Sequence, residues 1–277
     1  MSLLTSPNDI ILLIADEIDA EQDIASLTST CRRVYCLLSD FLHQTDIRRF
    51  DSRALYWGIQ HNRIDVVERM LDLGAQVNGT KDGCTPLDMA APLGKTDVIK
   101  LLLNRGAEYR FSQERPWTPL MAAASEGMTD AVRVLLQHHG TVVKAVETED
   151  RNYTKPPHWK FVSAMFGTSN PSLEKAGFEF VIPLFIAIAQ LRDEVAEILI
   201  HDPRVNINYQ DYNYMRTPLM WASTHNRPRV VKALLEAGAD PNLRSPNHGT
   251  ALYDAVSAGR LEIVKLLLAD ERVDVNS

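Results

Sequence analysis

The sequence predicts an all-α protein in which about six helix pairs stack into a solenoid, preceded by an N-terminal segment of three helices. Three observations lead to this prediction. A Thr-Pro-Leu stretch, or a close variant of it, recurs along most of the chain. Apolar residues follow each copy at helical spacing. The N-terminal segment has helical periodicity but lacks the repeat.

The repeat is anchored on the leucine of the Thr-Pro-Leu stretch, and successive copies lie 32, 33, 64, 35 and 33 residues apart. Apolar residues recur 11, 12, 15 and 16 positions after this marker leucine, which places them on one helix face. Thr-Pro opens the first helix, and glycines such as Gly74, Gly106 and Gly238 end the second. Each unit is therefore a turn and two short antiparallel helices. The markers are Leu55, Leu87, Leu120, Leu184, Leu219 and Leu252.

The second unit, GCTPLDMAAPLGKTDVIKLLLNRGA, resembles the ankyrin-repeat family closely. The resemblance extends over Asp51–Ser277, and we assign residues 49–277 to the solenoid. The first and fourth units depart from the pattern, because they lack the Thr-Pro or the glycine. The resemblance implies a protein–protein interaction module without catalytic activity.

The spacing of 64 between Leu120 and Leu184 is about twice the repeat length, and the roughly 40 residues after Gly140, 141–180, contain no Thr-Pro-Leu-like stretch. This segment contains six aromatic residues, whereas disordered linkers are usually poor in them. We interpret it as a partly ordered insertion at a finger loop, and a very degenerate repeat unit is the alternative. A passive packed loop, a recognition loop and a catalytic loop all remain open for its role.

The first 48 residues contain amphipathic helical patterns but are too few to form a core of their own. Pro7, an acid at Asp9, paired aliphatics and the later Cys31-Arg32-Arg33 resemble a fungal-type F-box. The leucine that usually precedes the proline is Ser6 here. The resemblance implies docking onto the adaptor subunit of an SCF-type ubiquitin ligase. The alternative is a helical cap on the solenoid, and both can hold together. The implied contact residues are Pro7, Ile10, Ile11, Ile14, Ile24, Leu27 and Cys31.

Composition narrows the class of partner. The formal net charge of −7 argues against nucleic acid, because phosphate binding needs a basic surface. The longest apolar stretch, FVIPLFIAIA, is too short to span a membrane, and the N-terminus lacks the basic region of a signal peptide. Three cysteines make no disulfide framework. We therefore expect a cytoplasmic or nuclear protein that is monomeric outside its complex.

Residues with catalytic or metal-binding potential do not form a known motif. His138 and His139 are adjacent, so they do not share a helix face as metal ligands would. His248 and Asp254 are expected to be turn and helix-surface residues. We predict no catalytic residue, no cofactor and no metal. Four residues of the insertion carry acid–base groups without any sign that they converge: Tyr153, Lys155, His158 and Lys160.

Alignment of the units shows which first-helix positions the repeat leaves variable, and these should line a concave groove. The position two after the marker holds Trp221 in the fifth unit, where we expect it to serve binding and not stacking. Packing of each tryptophan over its neighbouring unit is the alternative. The predicted groove residues are Trp57, His61, Met89, Leu93, Tyr109, Phe111, Trp117, Trp159, Tyr209, Tyr212, Tyr214, Trp221 and His225.

These features favour a non-enzymatic substrate adaptor, in which the N-terminal helices recruit a ubiquitin ligase and the repeats hold a target protein. A plain interaction scaffold is the second class. An enzyme with its site between the insertion and the groove is the third. The last unit ends in KLLLADERVDVNS without a polar capping helix, so we also expect an incompletely covered end.

Overall fold

The computed structural model describes residues 53–81, 83–108, 118–138, 183–211, 214–246 and 249–275. Within these ranges the chain forms twelve α-helices in six consecutive pairs. The helices are α1 (Arg53–Gln60), α2 (Ile64–Asp72), α3 (Pro86–Ala90), α4 (Thr96–Asn104), α5 (Pro119–Glu126), α6 (Thr129–Gln137), α7 (Pro183–Ala189), α8 (Asp193–Ile200), α9 (Pro218–Thr224), α10 (Pro228–Glu236), α11 (Ala251–Ser257) and α12 (Leu261–Leu268).

Thr-Pro starts the first helix of the second, third and fifth units, as the sequence predicts. The threonine hydroxyl accepts a hydrogen bond from the backbone N–H three residues later, and proline stands in the first turn. In α3 the cap is reciprocal, because Asp88 also accepts from the backbone N–H of Thr85 at 2.9 Å. Thr250 caps α11 in the same way, although alanine follows it.

The turns after the helices use left-handed backbone. The three glycines predicted to end second helices do so, with φ of 99° at Gly74, 85° at Gly106 and 90° at Gly238. First helices end in the same conformation seven residues after the marker leucine. Leu191 occupies that position in the fourth unit with φ of 60°, which is unfavourable for a residue with a Cβ.

The units stack with their first helices in one layer and their second helices in another. The marker leucine of each of the first five units is no more than 1% exposed, so every interface is built on the same position. The predicted all-α solenoid of six helix pairs is confirmed in this part of the chain. The three-helix N-terminal segment, 1–48, lies outside the described residues.

The fourth unit packs directly on the third, with α7 against α5 and α8 against α6. Two arginines of the fourth unit join the pair. The Nε of Arg192 donates to the carbonyl of Ser125 at 3.0 Å, and the Nη2 of Arg204 donates to that of Leu136 at 2.7 Å. No helix pair stands between these units in the described stack. The predicted insertion, 141–180, lies outside the described residues.

Asparagine side chains join the turns that precede successive units. The Oδ1 atoms of Asn78, Asn208 and Asn242 each accept a hydrogen bond from a backbone N–H about one repeat further along the chain. The donors are Glu108, Asp240 and Asp274, at 2.9, 2.9 and 2.8 Å. These bonds fix the spacing of the turns independently of the helices.

The last unit exposes several apolar side chains, which agrees with the expected incomplete cover. Tyr253 shows why: the corresponding residue of α7 is Phe185, which is 1% exposed beneath the next unit, whereas Tyr253 is 60% exposed. The exposed apolar residues of this unit are Tyr253, Val256, Leu261, Leu268 and Val275.

Candidate binding groove

The groove face is the side of the first helices that carries the positions two and six after the marker leucine. In the first unit these positions are Trp57 and His61, and in the fifth they are Trp221 and His225. Both units contain the same seven-residue pattern, Trp-x-x-x-His-Asn-Arg, at 57–63 and 221–227. The same pattern therefore occurs in two different surroundings on the groove face.

In the first unit the aromatic pair is open to solvent. The rings of Trp57 and His61 stack with centroids 4.5 Å apart, and the Nδ1 of His61 lies 2.9 Å from the carbonyl oxygen of Trp57. Trp57 is nevertheless 47% exposed. The stack and the hydrogen bond therefore orient a large aromatic surface that the repeat itself leaves uncovered.

In the fifth unit the same pair is half-buried. Trp221 stacks on His225 with centroids 4.9 Å apart, and it forms a T-shaped pair with the ring of Phe185, with centroids 6.4 Å apart. Phe185 belongs to the preceding unit and also meets Tyr209 edge-on at 6.3 Å. The prediction that the stack makes no use of Trp221 is therefore wrong. The bulky Phe185 in the fourth unit draws the indole and Tyr209 into the interface between the two units.

Polar contacts hold the indole of Trp221 as well. Its Nε1 donates to the Oδ2 of Asp211 at 2.8 Å, and Asp211 is 3% exposed in the turn before α9. The guanidinium of Arg216 lies over the indole face, 5.2 Å from the ring centroid. The indole of Trp221 thus contacts the ring of Phe185, the carboxylate of Asp211 and the guanidinium of Arg216.

Arg216 and Asp254 form a buried ion pair that the sequence analysis missed. The Nη2 of Arg216 lies 2.7 Å from the Oδ2 of Asp254, with the two side chains 11% and 7% exposed. The same nitrogen also bonds the hydroxyl of Thr224 and the carbonyl oxygen of Met220. The expectation that Asp254 is a helix-surface residue is wrong. The position of Asp254 in the repeat could have indicated a contact, because Asp254 stands two residues after its marker leucine, where the fifth unit has Trp221.

His225 lies in a positive environment at the end of α9. Its Nδ1 donates to the carbonyl oxygen of Trp221 at 2.9 Å. Burial lowers the pKa of His225, and the positive charges of Arg216, Arg260 and Arg227 lower it further, against the opposing effect of that hydrogen bond. The neutral imidazole is therefore the favoured form in the folded protein.

In the second unit both groove-face positions hold apolar side chains. Met89 is only 9% exposed, so its prediction as a groove residue is wrong. The reason is that α3 lies between α1 and α5, and the Met89 side chain belongs to the core that the stacked units share. Leu93 is partly buried against the same core.

Glu126 of the third unit is half-buried. Burial raises the pKa of its carboxyl group, although the charge of Arg192 opposes that shift.

The turn before α9 presents further exposed side chains. Tyr214 is 49% exposed and Met215 is 41% exposed, and Met215 has φ of 51°. Gln210 braces this turn by donating to the carbonyl oxygens of Met215 and Arg244, each at 2.9 Å. Tyr214 is therefore an accessible aromatic residue, as predicted, whereas its role in binding stays a prediction.

Several predicted contact residues lie outside the described residues, and their roles stay predictions. In the groove these are Tyr109, Phe111, Trp117, Trp159 and Tyr212. On the N-terminal segment these are Pro7, Ile10, Ile11, Ile14, Ile24, Leu27 and Cys31.

Two further properties of the described residues bear on the kind of site. Across the described ranges, no three His, Cys, Asp or Glu side chains are grouped as a metal ion would need. In the same ranges, none of the helices has the length and apolar character needed to cross a bilayer. The groove face does present the stacked tryptophan–histidine pairs of the first and fifth units, the second of them beside Arg216.

Comparison with known proteins identifies the repeat. A family profile described as "Ankyrin repeats (3 copies)" matches residues 24–113 and 184–277, and one described as "Ankyrin repeat" matches 117–147. Mouse inversin is 28% identical over 237 residues, which is 83% of this chain and 19% of inversin. Ankyrin repeat domain-containing protein SAT10 of Stachybotrys chartarum is 46% identical over 71 residues, 26% of this chain and 4% of that protein. The chain therefore spans less than a fifth of these relatives.

Solved structures show the same fold. The ankyrin repeat domain of Bcl-3 superposes with a TM-score of 0.59 at 22% identity, covering 79% of this chain and 86% of that one. The human ASB11 ankyrin repeat domain gives a TM-score of 0.56 at 19% identity, covering 76% and 81%. Ankyrin solenoids serve generally as protein–protein interaction scaffolds. The profile matches cover more than half of the chain, and together with the six stacked helix pairs they establish that this protein belongs to the ankyrin repeat family.

Proposed function

We propose that the protein is a non-enzymatic adaptor whose repeats hold a target protein on the groove face. One observation carries this proposal: Trp57 is oriented by His61 and yet 47% exposed. A rigid aromatic side chain loses little conformational entropy on binding and buries a large area, so such residues commonly dominate interfaces. Tyr214 offers a second exposed aromatic surface.

The finer part of the proposal concerns residues 1–48, which we infer dock onto the adaptor subunit of an SCF-type ubiquitin ligase. It is supported by the F-box-like pattern around Pro7, Ile10 and Ile11. The target protein held by the repeats would then be presented for ubiquitination by partner proteins. Such a complex would act in the cytoplasm or the nucleus.

A scaffold without a ubiquitin role is the second candidate. It is favoured by the ankyrin profile match, which begins at residue 24 and so overlaps the F-box-like segment. In this case the N-terminal helices would only cap or extend the solenoid. The third class, an enzyme whose site involves residues 141–180, concerns residues outside the described part of the chain and stays a prediction.

A pull-down with the purified ligase adaptor subunit separates the two candidates. The Pro7→Glu, Ile11→Glu double variant should lose the adaptor while its circular dichroism spectrum stays that of a folded repeat protein. Trp57→Ala serves as the matched control and should retain the adaptor. Equal adaptor recovery with the wild type and the double variant would rule out the F-box interpretation and leave the scaffold.

The groove is tested by quantifying the proteins that co-purify with the full chain. Trp57→Ala should lose target proteins roughly tenfold, the equivalent of about 1.4 kcal/mol. Lys100→Ala, on the exposed face of α4, is the control and should change nothing. If both variants retain the same set of proteins, Trp57 does not contribute to target binding.

A further inference from the structure

Arginine occupies the same position in the last three units, immediately before the second helix. Arg192, Arg227 and Arg260 are the residues that precede α8, α10 and α12. The first of them, Arg192, lies against the left-handed Gly127 of the preceding unit, where an added Cβ would come within 2.9 Å of the arginine Cδ. The repeat register assigns Arg260 the corresponding site, at Asn226, and its charge acts on the neighbouring His225.

Two of the three arginines have partners in the preceding unit. Arg192 donates to the backbone carbonyl of Ser125 at 3.0 Å. Arg227 forms a two-pronged pair with Asp193, at 2.7 Å from Nε and 2.5 Å from Nη2. The guanidinium of Arg260 has no acceptor among the described residues, and its Nε is shielded from solvent. Arg260 lacks a partner like that of Arg227 because the fifth unit has Pro228 at the position of Asp193.

The Nε of Arg260 is shielded from solvent, and Arg260 forms no ion pair among the described residues. Only the Nε is shielded in this way, and the two Nη groups remain accessible to solvent. Such a half-buried guanidinium can bind a carboxylate in a bidentate mode, because the two carboxylate oxygens match two parallel N–H donors of the guanidinium.

Two other arginines near this place are already paired. Arg216 is nine-tenths buried and lies 2.7 Å from the carboxylate of Asp254, and Arg227 is paired with Asp193. Burial is the main cause of the depressed pKa of His225, and the charge of Arg260 adds to it, as do those of Arg216 and Arg227. An incoming carboxylate would meet Arg260 next to His225, whose ring stacks on the indole of Trp221.

We propose that Arg260, together with His225 of the preceding unit, forms a subsite that binds a side-chain carboxylate from an acidic segment of the target protein. This inference rests on the proposed function, since it assigns the chemistry of the partner at one end of the groove face. Arg260 supplies the charge and the paired donors, and Trp221 supplies an apolar wall.

The test uses the full chain and a fluorescently labelled hexaglutamate peptide, with hexaglutamine as the uncharged reference. Anisotropy at low ionic strength should show binding of hexaglutamate only. Arg260→Gln should weaken it about tenfold, and Arg260→Lys should recover part of the loss, because lysine keeps the charge without the paired donors. NMR signals of the His225 ring should move on peptide addition in the wild type and stay still in Arg260→Gln.

Arg63→Gln is the matched control. Arg63 stands at the same position in the first unit but is already paired with Asp65 at 2.7 Å. This variant should bind hexaglutamate as the wild type does. Equal weakening by both variants, no binding at all, or equally strong competition by inorganic phosphate and by unlabelled peptide would overturn the subsite. Thermal melting of each variant shows whether the fold is retained.

The outcomes also separate this inference from the proposed function. If Trp57→Ala loses co-purifying target proteins while Arg260→Gln retains them all, the carboxylate subsite is wrong and the groove stands. If Arg260→Gln weakens the peptide while Trp57→Ala loses no target, the subsite stands and the assignment of Trp57 is wrong.

Discussion

The two copies of the Trp-x-x-x-His-Asn-Arg pattern have the same local geometry and different surroundings. In both, the tryptophan and histidine rings stack within 5 Å, and the histidine Nδ1 contacts the tryptophan carbonyl oxygen at 2.9 Å. Trp57 stays 47% exposed, whereas Trp221 contacts Phe185, Asp211 and Arg216. The motif sets the orientation of the rings, and the neighbouring units decide whether they serve packing or remain free.

The difference arises at single positions of adjacent units. Behind Trp221 the fourth unit places Phe185, and beyond it the sixth unit places Asp254, which holds Arg216 over the indole. The unit that follows Trp57 has Met89 at the position of Asp254, so it supplies no carboxylate there. An aromatic residue in a variable position of a repeat is therefore interpretable only together with its neighbours.

The largest expected effect comes from breaking the ion pair that covers Trp221. Asp254→Asn leaves the buried guanidinium of Arg216 without its charge partner and should lower the free energy of unfolding by about 3 kcal/mol. Urea denaturation measures it. Asp97→Asn breaks the exposed pair with Lys100 and should change stability by less than about 0.5 kcal/mol. Similar losses in both variants would mean that burial of the Arg216 pair does not matter.

The next effect compares the tryptophans directly. Trp221→Ala should cost about 2 kcal/mol, because it removes contacts with Phe185 and leaves the buried carboxylate of Asp211 without the indole donor. Trp57→Ala should cost less than about 0.5 kcal/mol, because its ring is half-exposed. Thermal melting of the two variants side by side measures the difference. Equal melting temperatures would show that the contacts of Trp221 add no stability.

A smaller effect on stability is expected at Leu191, where the fourth unit differs from the two units that contain the Trp-x-x-x-His-Asn-Arg pattern. Those units place Asn62 and Asn226 in the left-handed turn after the first helix, and the fourth places Leu191 there. Leu191→Asn should raise stability by about 1 kcal/mol by relieving backbone strain. Leu261→Asn replaces a leucine that is 67% exposed at the start of α12 and should bring no gain. A gain in both would point to removal of exposed apolar surface instead.

The smallest effect concerns the pH dependence of stability at His225. The pKa of His225 is depressed in the folded protein, so the unfolded chain binds the proton first as the pH falls below about 6.5. The free energy of unfolding should be fully retained above that pH and should decrease as the pH falls from there towards the folded-state pKa. His225→Gln should reduce this decrease, as measured by urea denaturation at several pH values. An unchanged pH profile in the variant would exclude His225 as its source.

The sequence predicted the repeat well because every unit uses the same positions for stacking, and Leu55 and Leu184 are buried even in the two irregular units. The groove was predicted less well. Spacing showed that Trp221 stands in a variable position, but it carried no information about Phe185 across the interface or Arg216 above the ring. Contacts between residues of different units depend on side chains that the repeat pattern leaves free.

The direct packing of α7 on α5 has a thermodynamic consequence for the length of the chain between the third and fourth units. About 45 residues connect α6 to α7, whereas about 14 connect α4 to α5. A flexible loop of about 45 residues costs only about 1 kcal/mol more in closure entropy than one of about 14, because each doubling adds about 0.6 kcal/mol. Closure entropy therefore places little limit on the number of residues that can stand between the third and fourth units.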